Sequence, residues 1–369
     1  IFIKEEANMA LKVGMLTSGG DCQGLNSTMR GVARGLLGSD QDVKILGFLN
    51  GYDGLMHSSY RHMTDVDFSG ILTVGGTILG TSRQPFKGMN DPLREDEPEG
   101  ITKLEAMLQT YKDLSLDALV VLGGNGTQKT ANLLSENGCN IIHMPKTIDN
   151  DLSGTEKTFG FQSAVNIATE VIDGIHTTAT SHGRVFIVEV MGNKVGWLTL
   201  YAGVASGADV ILIPEIPYDP ISVVKALQIR ERNKKRFSII AVAEGAKSKD
   251  EANMKTAELE ENRKGEHSVA YHLKNQLEEL MIQEIRVCVP GHFQRGGTPS
   301  AYDRVLTTEL GVEGAKAVLE GDFGKMIGIA CDRPIRVDLK DVAGKTKKVP
   351  MDDPVLLSAK QMGICFGNE

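Results

Sequence analysis

The stretch MPKTIDNDLSGTEKTFG, residues 144–160, gathers side chains able to carry a phosphoryl transfer. Lys146, Thr147, Asp149 and Asp151 stand close together, and Asn150 separates the two carboxylates. In an extended loop, residues two apart project to one side. Asp149 and Asp151 are therefore expected to face one cleft, with Lys146 and Thr147 at its edge. One carboxylate can take a proton from an attacking hydroxyl and another can help hold a metal, while the cation meets phosphate charge. Asn and Asp are also ordinary turn formers, so the same residues fit a polar turn.

The elements that must position this loop alternate in type. An apolar run at 140–144 reads as a buried strand leading into it. Leu11 to Leu16 reads as a strand ending in Thr17-Ser18-Gly19-Gly20-Asp21, followed by a helix to Leu37 with Asn26-Ser27 as its cap. Residues 116–122 form a near-continuous apolar strand, then Gly123-Gly124-Asn125-Gly126-Thr127, then a helix to Glu136. Each strand–glycine–helix unit can point backbone N–H groups at phosphate. There is neither a GxxxxGK[ST] loop nor a dinucleotide fingerprint. Later strands are expected at 184–190, 210–213, 238–243, 285–289 and 325–330, and helices at 162–178, 197–204, 220–232, 267–281 and 299–319. Residues 246–266 are densely charged and read as a solvated helical excursion or mobile flap. This alternation predicts an α/β protein with parallel sheets. Its polar loops follow strands, where open parallel sheets bind ligands.

With 369 residues, 41% hydrophobic and 24% charged, the chain can build a large core in two or three lobes. Its net charge of −8 argues against a nucleic-acid partner or an anionic membrane surface. Five scattered cysteines without a CxxC pair fit a reduced, cytoplasmic compartment and no structural zinc. No apolar run approaches the ~20 residues of a membrane span. Met9 reads as the natural start, which makes residues 1–8 leader or expression-derived sequence.

PKTIDND resembles the catalytic loop of the 6-phosphofructokinases. The resemblance extends, in the family's order, to LTSGGDCQGLN (16–26), LGGNGT (122–127), EVMGNKVGW (189–197), AVAEGA (241–246) and PGHFQRGGTPSAYDR (290–304). It implies two Rossmann-like lobes with mainly parallel sheets flanked by helices, and an active site at strand C-terminal ends in the cleft. By the same resemblance, 9–150 is the donor lobe, with part of 299–369 returning to it, and 151–298 is the sugar-phosphate lobe. The implied reaction moves the γ-phosphoryl of ATP to the 1-hydroxyl of fructose 6-phosphate. Asp149 matches the general base, Thr147 a ligand of the sugar or the transferred phosphoryl, and Asp151 a residue that positions the hydroxyl. His292 and Arg295 match 6-phosphate ligands, as do Arg184 and Arg286, which the family supplies from a neighbouring subunit. Glu244 matches the carboxylate that holds sugar hydroxyls, with Met191 and Gly192 lining the same pocket. Donor binding falls to Gly20, Tyr52, Arg83, Gly124, Gly126 and Thr127, and Arg83 is also expected to compensate transition-state charge. Mg²⁺ is implied, with Asn125 and Asp149 at the metal-associated positions.

The donor is open between ATP and pyrophosphate. Family members that use pyrophosphate combine GGDD with PKTIDND, whereas bacterial ATP enzymes combine GGDGS or GGDGT with PGTIDND. This chain mixes GGNGT with PKTIDND. A side chain at position 126, above all Asp, would intrude where the α-phosphate of ATP lies, so Gly126 favours ATP. Lys146 is compatible with either. Asn125 and Asn193 replace an Asp and an Arg usual in the family, which keeps a non-catalytic sugar-phosphate-binding subunit as a third reading. A dehydrogenase remains a fold-level alternative alone. Arg30 and Arg34 match effector-binding positions, but His176 stands where an Arg is usual and the match of 233–236 is loose. Control by ADP or phosphoenolpyruvate is therefore expected to be weak or absent. A homotetramer is implied, and a dimer would also complete a shared site.

Overall fold

The computed structural model describes residues 10–263, 265–266 and 268–368. The expected start at Met9, the leader 1–8 and the expected helix start at His267 lie outside the described residues. Eleven strands run in chain order among the described residues. They are β1 (Leu11–Ser18), β2 (Val43–Phe48), β3 (Tyr60–Met63), β4 (Ala118–Gly123), β5 (Ile141–Pro145), β6 (Val185–Val190), β7 (Val210–Leu212), β8 (Ser238–Ala243), β9 (Ile285–Cys288), β10 (Lys325–Ala330) and β11 (Arg333–Asp338). The chain divides into two units. The first comprises Ile1–Thr147, Leu152–Gly160 and Gly296–Thr346, and the second Ile148–Asp151, Phe161–Arg295 and Lys347–Glu369.

The first unit holds a seven-stranded sheet in the order β11-β10-β5-β4-β1-β2-β3. Its five central strands pair in parallel, with β3 and β11 antiparallel at the edges. β4 is apolar throughout because helices cover both sheet faces: Val120 and Leu122 join one buried cluster, Leu119 and Val121 the other. Neither edge strand was expected from the sequence. Both are partly exposed and lack that continuous apolar signal, and Pro334, which has no N–H to donate, is tolerated in an edge strand such as β11.

The helix Leu25–Leu37 packs on the helix Ala301–Glu320 through glycines. A Cβ on Gly311 would lie 2.7 Å from the Cα of Gly31, so neither position admits a side chain without moving a backbone. Gly24, in a left-handed conformation, stands at the helix N-terminus in place of the expected Asn26-Ser27 cap. Asn26 instead donates to the carbonyls of Val74 and Gly75 and accepts from the Ile78 amide, tying down that loop.

The second unit holds a parallel sheet in the order β7-β8-β6-β9. The C-terminal tail, for which no element was expected, pairs along edge strand β7. Cys365 donates its amide to Asp209 (3.1 Å) and accepts from Ile211 (2.9 Å), which satisfies groups an open edge would expose.

The segment 246–266 carries the expected helix, Thr256–Asn262, which is largely exposed, but it also holds a buried ionic network that was not expected. Glu251 is fully buried and accepts from the Arg263 guanidinium through both oxygens, at 2.9 and 3.0 Å, while His272 stands 3.3 Å away. Burial alone would push the Glu251 carboxyl up, but His272 and Arg263 outweigh it and hold the group well below the usual range. Charges that look independent along the sequence are one internal network. It anchors the segment through a further bond from Arg263 to the Ala246 carbonyl.

Candidate active site

In the first unit the loops after β1, β4 and β5 converge. Lys146 Nζ donates to the Gly20 carbonyl, and the Lys146 amide to Gly123 (3.1 Å). Gly19 has φ +85°, and a Cβ there would lie 3.4 Å from Thr127 Oγ1 and 3.8 Å from Lys146 Nζ. Gly20, Thr127 and Lys146 are thus neighbours. Thr81 Oγ1 donates to the Gly19 carbonyl (2.6 Å), and the Gly19 amide to Ser82 (3.0 Å), which brings the segment bearing the exposed Arg83 to the same loop.

Gly124 precedes the helix Asn125–Glu136, so Asn125, Gly126 and Thr127 form its first turn, where amide groups lack intrahelical partners. Such an end favours anions. A Cβ on Gly126 would meet nothing within 4 Å. Tyr52 differs from its expected role as a direct donor contact. Its ring is fully buried in the core and its hydroxyl donates to the Thr127 carbonyl (2.8 Å), so it braces the loop, and burial holds its phenol well above the usual range.

In the second unit, the exits of β6 and β8 are clasped together. Glu244 Oε1 accepts from the amides of Gly192 (3.1 Å) and Asn193 (2.6 Å). Asn193 has φ +53°, a conformation Asn tolerates better than most residues, which gives this Asn a backbone reason to be there. The Met191 amide donates to Gln294 Oε1 (3.2 Å), placing the turn Gly291–Arg295 beside it. His292 is exposed and Arg295 half-buried in that turn. Met191, Gly192, Glu244, His292 and Arg295 therefore gather at the carboxyl ends of the strands.

Arg184 and Arg286 do not join them. Arg184 precedes β6 and Arg286 lies near the start of β9, both at the amino ends, and both hold the carboxylate of Glu284.

Asp149 and Asp151 are largely buried, at 8% exposure each. The extended geometry expected between them fails at Asn150, whose φ is +53°. A left-handed bend, not strand alternation, sets their directions. Lys347 holds that bend: its Nζ donates to Asn150 Oδ1 (3.0 Å) and its amide to the Asp151 carbonyl (2.7 Å). Sequence reasoning missed Lys347, which sits in a charged tail without a motif, and Gln294, which lies inside GHFQRGG but was not singled out.

Among the described residues no group of three or more His, Cys, Asp or Glu could hold a metal ion. Asn125 in the first unit and Asp149 in the second each carry a side-chain oxygen of the kind Mg²⁺ accepts.

The family model described as phosphofructokinase matches residues 12–318. The chain is 50% identical over 358 residues to an ATP-dependent 6-phosphofructokinase of Spirochaeta thermophila, covering 96% of this chain and 97% of that one. It is 42% identical over 379 residues to an ATP-dependent 6-phosphofructokinase of Propionibacterium freudenreichii, covering 98% and 100%. Among solved structures, the phosphofructokinase of Saccharomyces cerevisiae matches with a TM-score of 0.74 at 34% identity, over 90% of this chain and 45% of that longer one.

Proposed function

Because the chain belongs to the phosphofructokinase family, we propose that it transfers the γ-phosphoryl of ATP to the 1-hydroxyl of fructose 6-phosphate, giving fructose 1,6-bisphosphate. The observation that carries the donor assignment is the open space at Gly126, in the first turn of a helix whose amides suit phosphate. With no protein atom within 4 Å of a Cβ placed there, the backbone leaves room for a nucleotide's α-phosphate.

Gly20, Gly124 and Thr127 cradle the donor phosphates, and Lys146 and Arg83 supply positive charge as the bond to the leaving phosphate breaks. Asn125 and Asp149 would help hold the Mg²⁺ that the family implies, and that ion would offset the charge of the donor phosphates. Asp149 takes the proton of the 1-hydroxyl, Asp151 orients that hydroxyl, and Thr147 binds the transferred group. Glu244, Met191 and Gly192 hold the sugar, while His292 and Arg295 hold its 6-phosphate. Arg184 and Arg286 complete this grip on a neighbouring copy in a homo-oligomer. No helix among the described residues is long and apolar enough to cross a membrane. The dispersed cysteines support a cytoplasmic setting.

Asp149→Ala tests the assignment. It is expected to lower kcat by roughly 10²–10⁴-fold, the usual worth of a positioned base, with KM for ATP little changed. Turnover near the wild-type level would remove Asp149 from the chemistry.

A further inference from the structure

Lys345, Lys347 and Lys348 stand in a charged tail beyond residue 318, where the family match ends. Lysines in such a tail normally keep their ammonium groups in water. Lys347 is instead half-buried, with three of its groups engaged. Its amide donates to Asp151, and its carbonyl accepts from the indole Nε1 of Trp197 (3.0 Å). Its ammonium donates to Asn150 Oδ1 and lies 5.5 Å from the centre of the Trp197 ring, within cation–π range. Trp197 is the only tryptophan in the chain and is 7% exposed. Glu215 Oε1 accepts from the amides of Val349 (3.0 Å) and Gly196 (3.1 Å), which pins the tail to the start of the Trp197 helix.

We infer that Lys347 is a positioning residue for phosphoryl transfer: it clamps Asn150 in its left-handed bend and thereby aims Asp149 and Asp151. The geometry gives two reasons. A non-glycine residue at φ +53° relaxes toward ordinary backbone unless its surroundings hold it, and here the Lys347 ammonium takes the Asn150 side chain. The Lys347 amide binds the Asp151 carbonyl (2.7 Å), so one residue ties both the bend and the backbone that follows it. The inference rests on the reading of Asp149 as the base.

Steady-state kinetics with ATP and fructose 6-phosphate test it, using Lys347→Met, Lys347→Arg, Asn150→Gly and the Lys347→Met/Asn150→Gly double variant. Lys347→Met keeps the stem that packs on Trp197 and removes the charge. It is expected to lower kcat about tenfold or more, leave KM for ATP within about twofold, and be largely rescued by Lys347→Arg. Glycine adopts the left-handed bend without strain, so Asn150→Gly should fold even if Lys347→Met does not. It is expected to lose kcat to a similar degree, and the double variant little more, because both changes break one contact. An unchanged kcat in folded Lys347→Met overturns the inference. So do additive losses in the double variant, or an Asn150→Gly variant with full kcat. Asp149→Ala measured in parallel separates the two claims, since full turnover there defeats the reading of the base itself.

Discussion

Arg184 and Arg286 hold one carboxylate, that of Glu284, from adjacent parallel strands. Residue 286 lies in register with Phe186, two positions beyond Arg184. Both arginines stand at the amino ends of strands whose carboxyl ends lead to Met191 and toward His292. A six-residue strand at about 3.3 Å per residue separates the two ends by roughly 20 Å. That span is too long for both sets to grip one sugar phosphate, which supports the proposal that these two arginines serve the site of a neighbouring copy.

Subunit mixing tests this arrangement. Asp149→Ala and Arg286→Ala chains should each be inactive or severely impaired alone. Exchanging their subunits should restore activity well above either parent, because one class of mixed site then carries both intact residues. A single-chain site would show no recovery. Arg286→Ala alone is expected to raise KM for fructose 6-phosphate roughly 10–100-fold, the worth of a charge-assisted phosphate bond.

Effector control should be weak. His176 Nε2 is paired with the Ser206 carbonyl (2.8 Å), and its ring packs edge-on against Phe237 at 5.6 Å, so the ring is engaged within the protein. Arg34 is engaged with Asp65 at 2.8 Å. Phosphoenolpyruvate titrated into the assay is expected to leave fructose 6-phosphate saturation hyperbolic. A strong sigmoidal shift would defeat this expectation.

Two histidines should bound stability on opposite sides of neutrality. His143 is fully buried on β5, and burial pushes its imidazole down to about 3, with the Gly123 backbone opposing and Lys146 adding to the fall. The folded state keeps it neutral while the unfolded chain takes a proton below about pH 6.5, so stability falls by up to several kcal/mol as pH drops from there toward 3. His272 is raised, chiefly by its hydrogen bond to Glu251. Its contribution is fully present below about pH 6.5 and is lost as pH rises through its folded value. Urea unfolding across this range should show the acid-side loss shrinking in His143→Leu and the alkaline-side loss shrinking in His272→Gln. An unchanged pH profile in either variant contradicts the assignment for that residue.

Much of the first unit was legible in the sequence because it rests on local signals. The β4 run, buried on both faces, and the glycines at its exit announce a parallel strand feeding a phosphate loop. The strand exits that carry Met191, Gly192 and Glu244 were legible in the same way. Features made by long-range pairing were not legible. The tail on β7 and the grip of Lys347 on Asn150 join residues far apart in sequence, each ordinary in its own neighbourhood, whereas β11 follows β10 across a short turn but is half-exposed and carries no apolar run. The buried Glu251 network was misread because local composition cannot reveal that Arg263 and His272 fold back onto one carboxylate. The bend at Asn150 was missed for the opposite reason: an Asp-Asn-Asp triplet fits extended and turn backbone alike.

The central claim is that Gly126 makes room for a nucleotide and so sets the donor. The most direct test is the initial rate with fructose 6-phosphate and Mg²⁺, comparing saturating ATP with saturating pyrophosphate in the native protein and in Gly126→Asp. The carboxylate has open space before it, so the variant should fold. The native protein is predicted to prefer ATP by well over tenfold, a tenfold ratio being about 1.4 kcal/mol in transition-state stabilisation, and Gly126→Asp to lose most of that preference. Faster turnover with pyrophosphate in the native protein, or an ATP preference untouched by Gly126→Asp, would contradict the account.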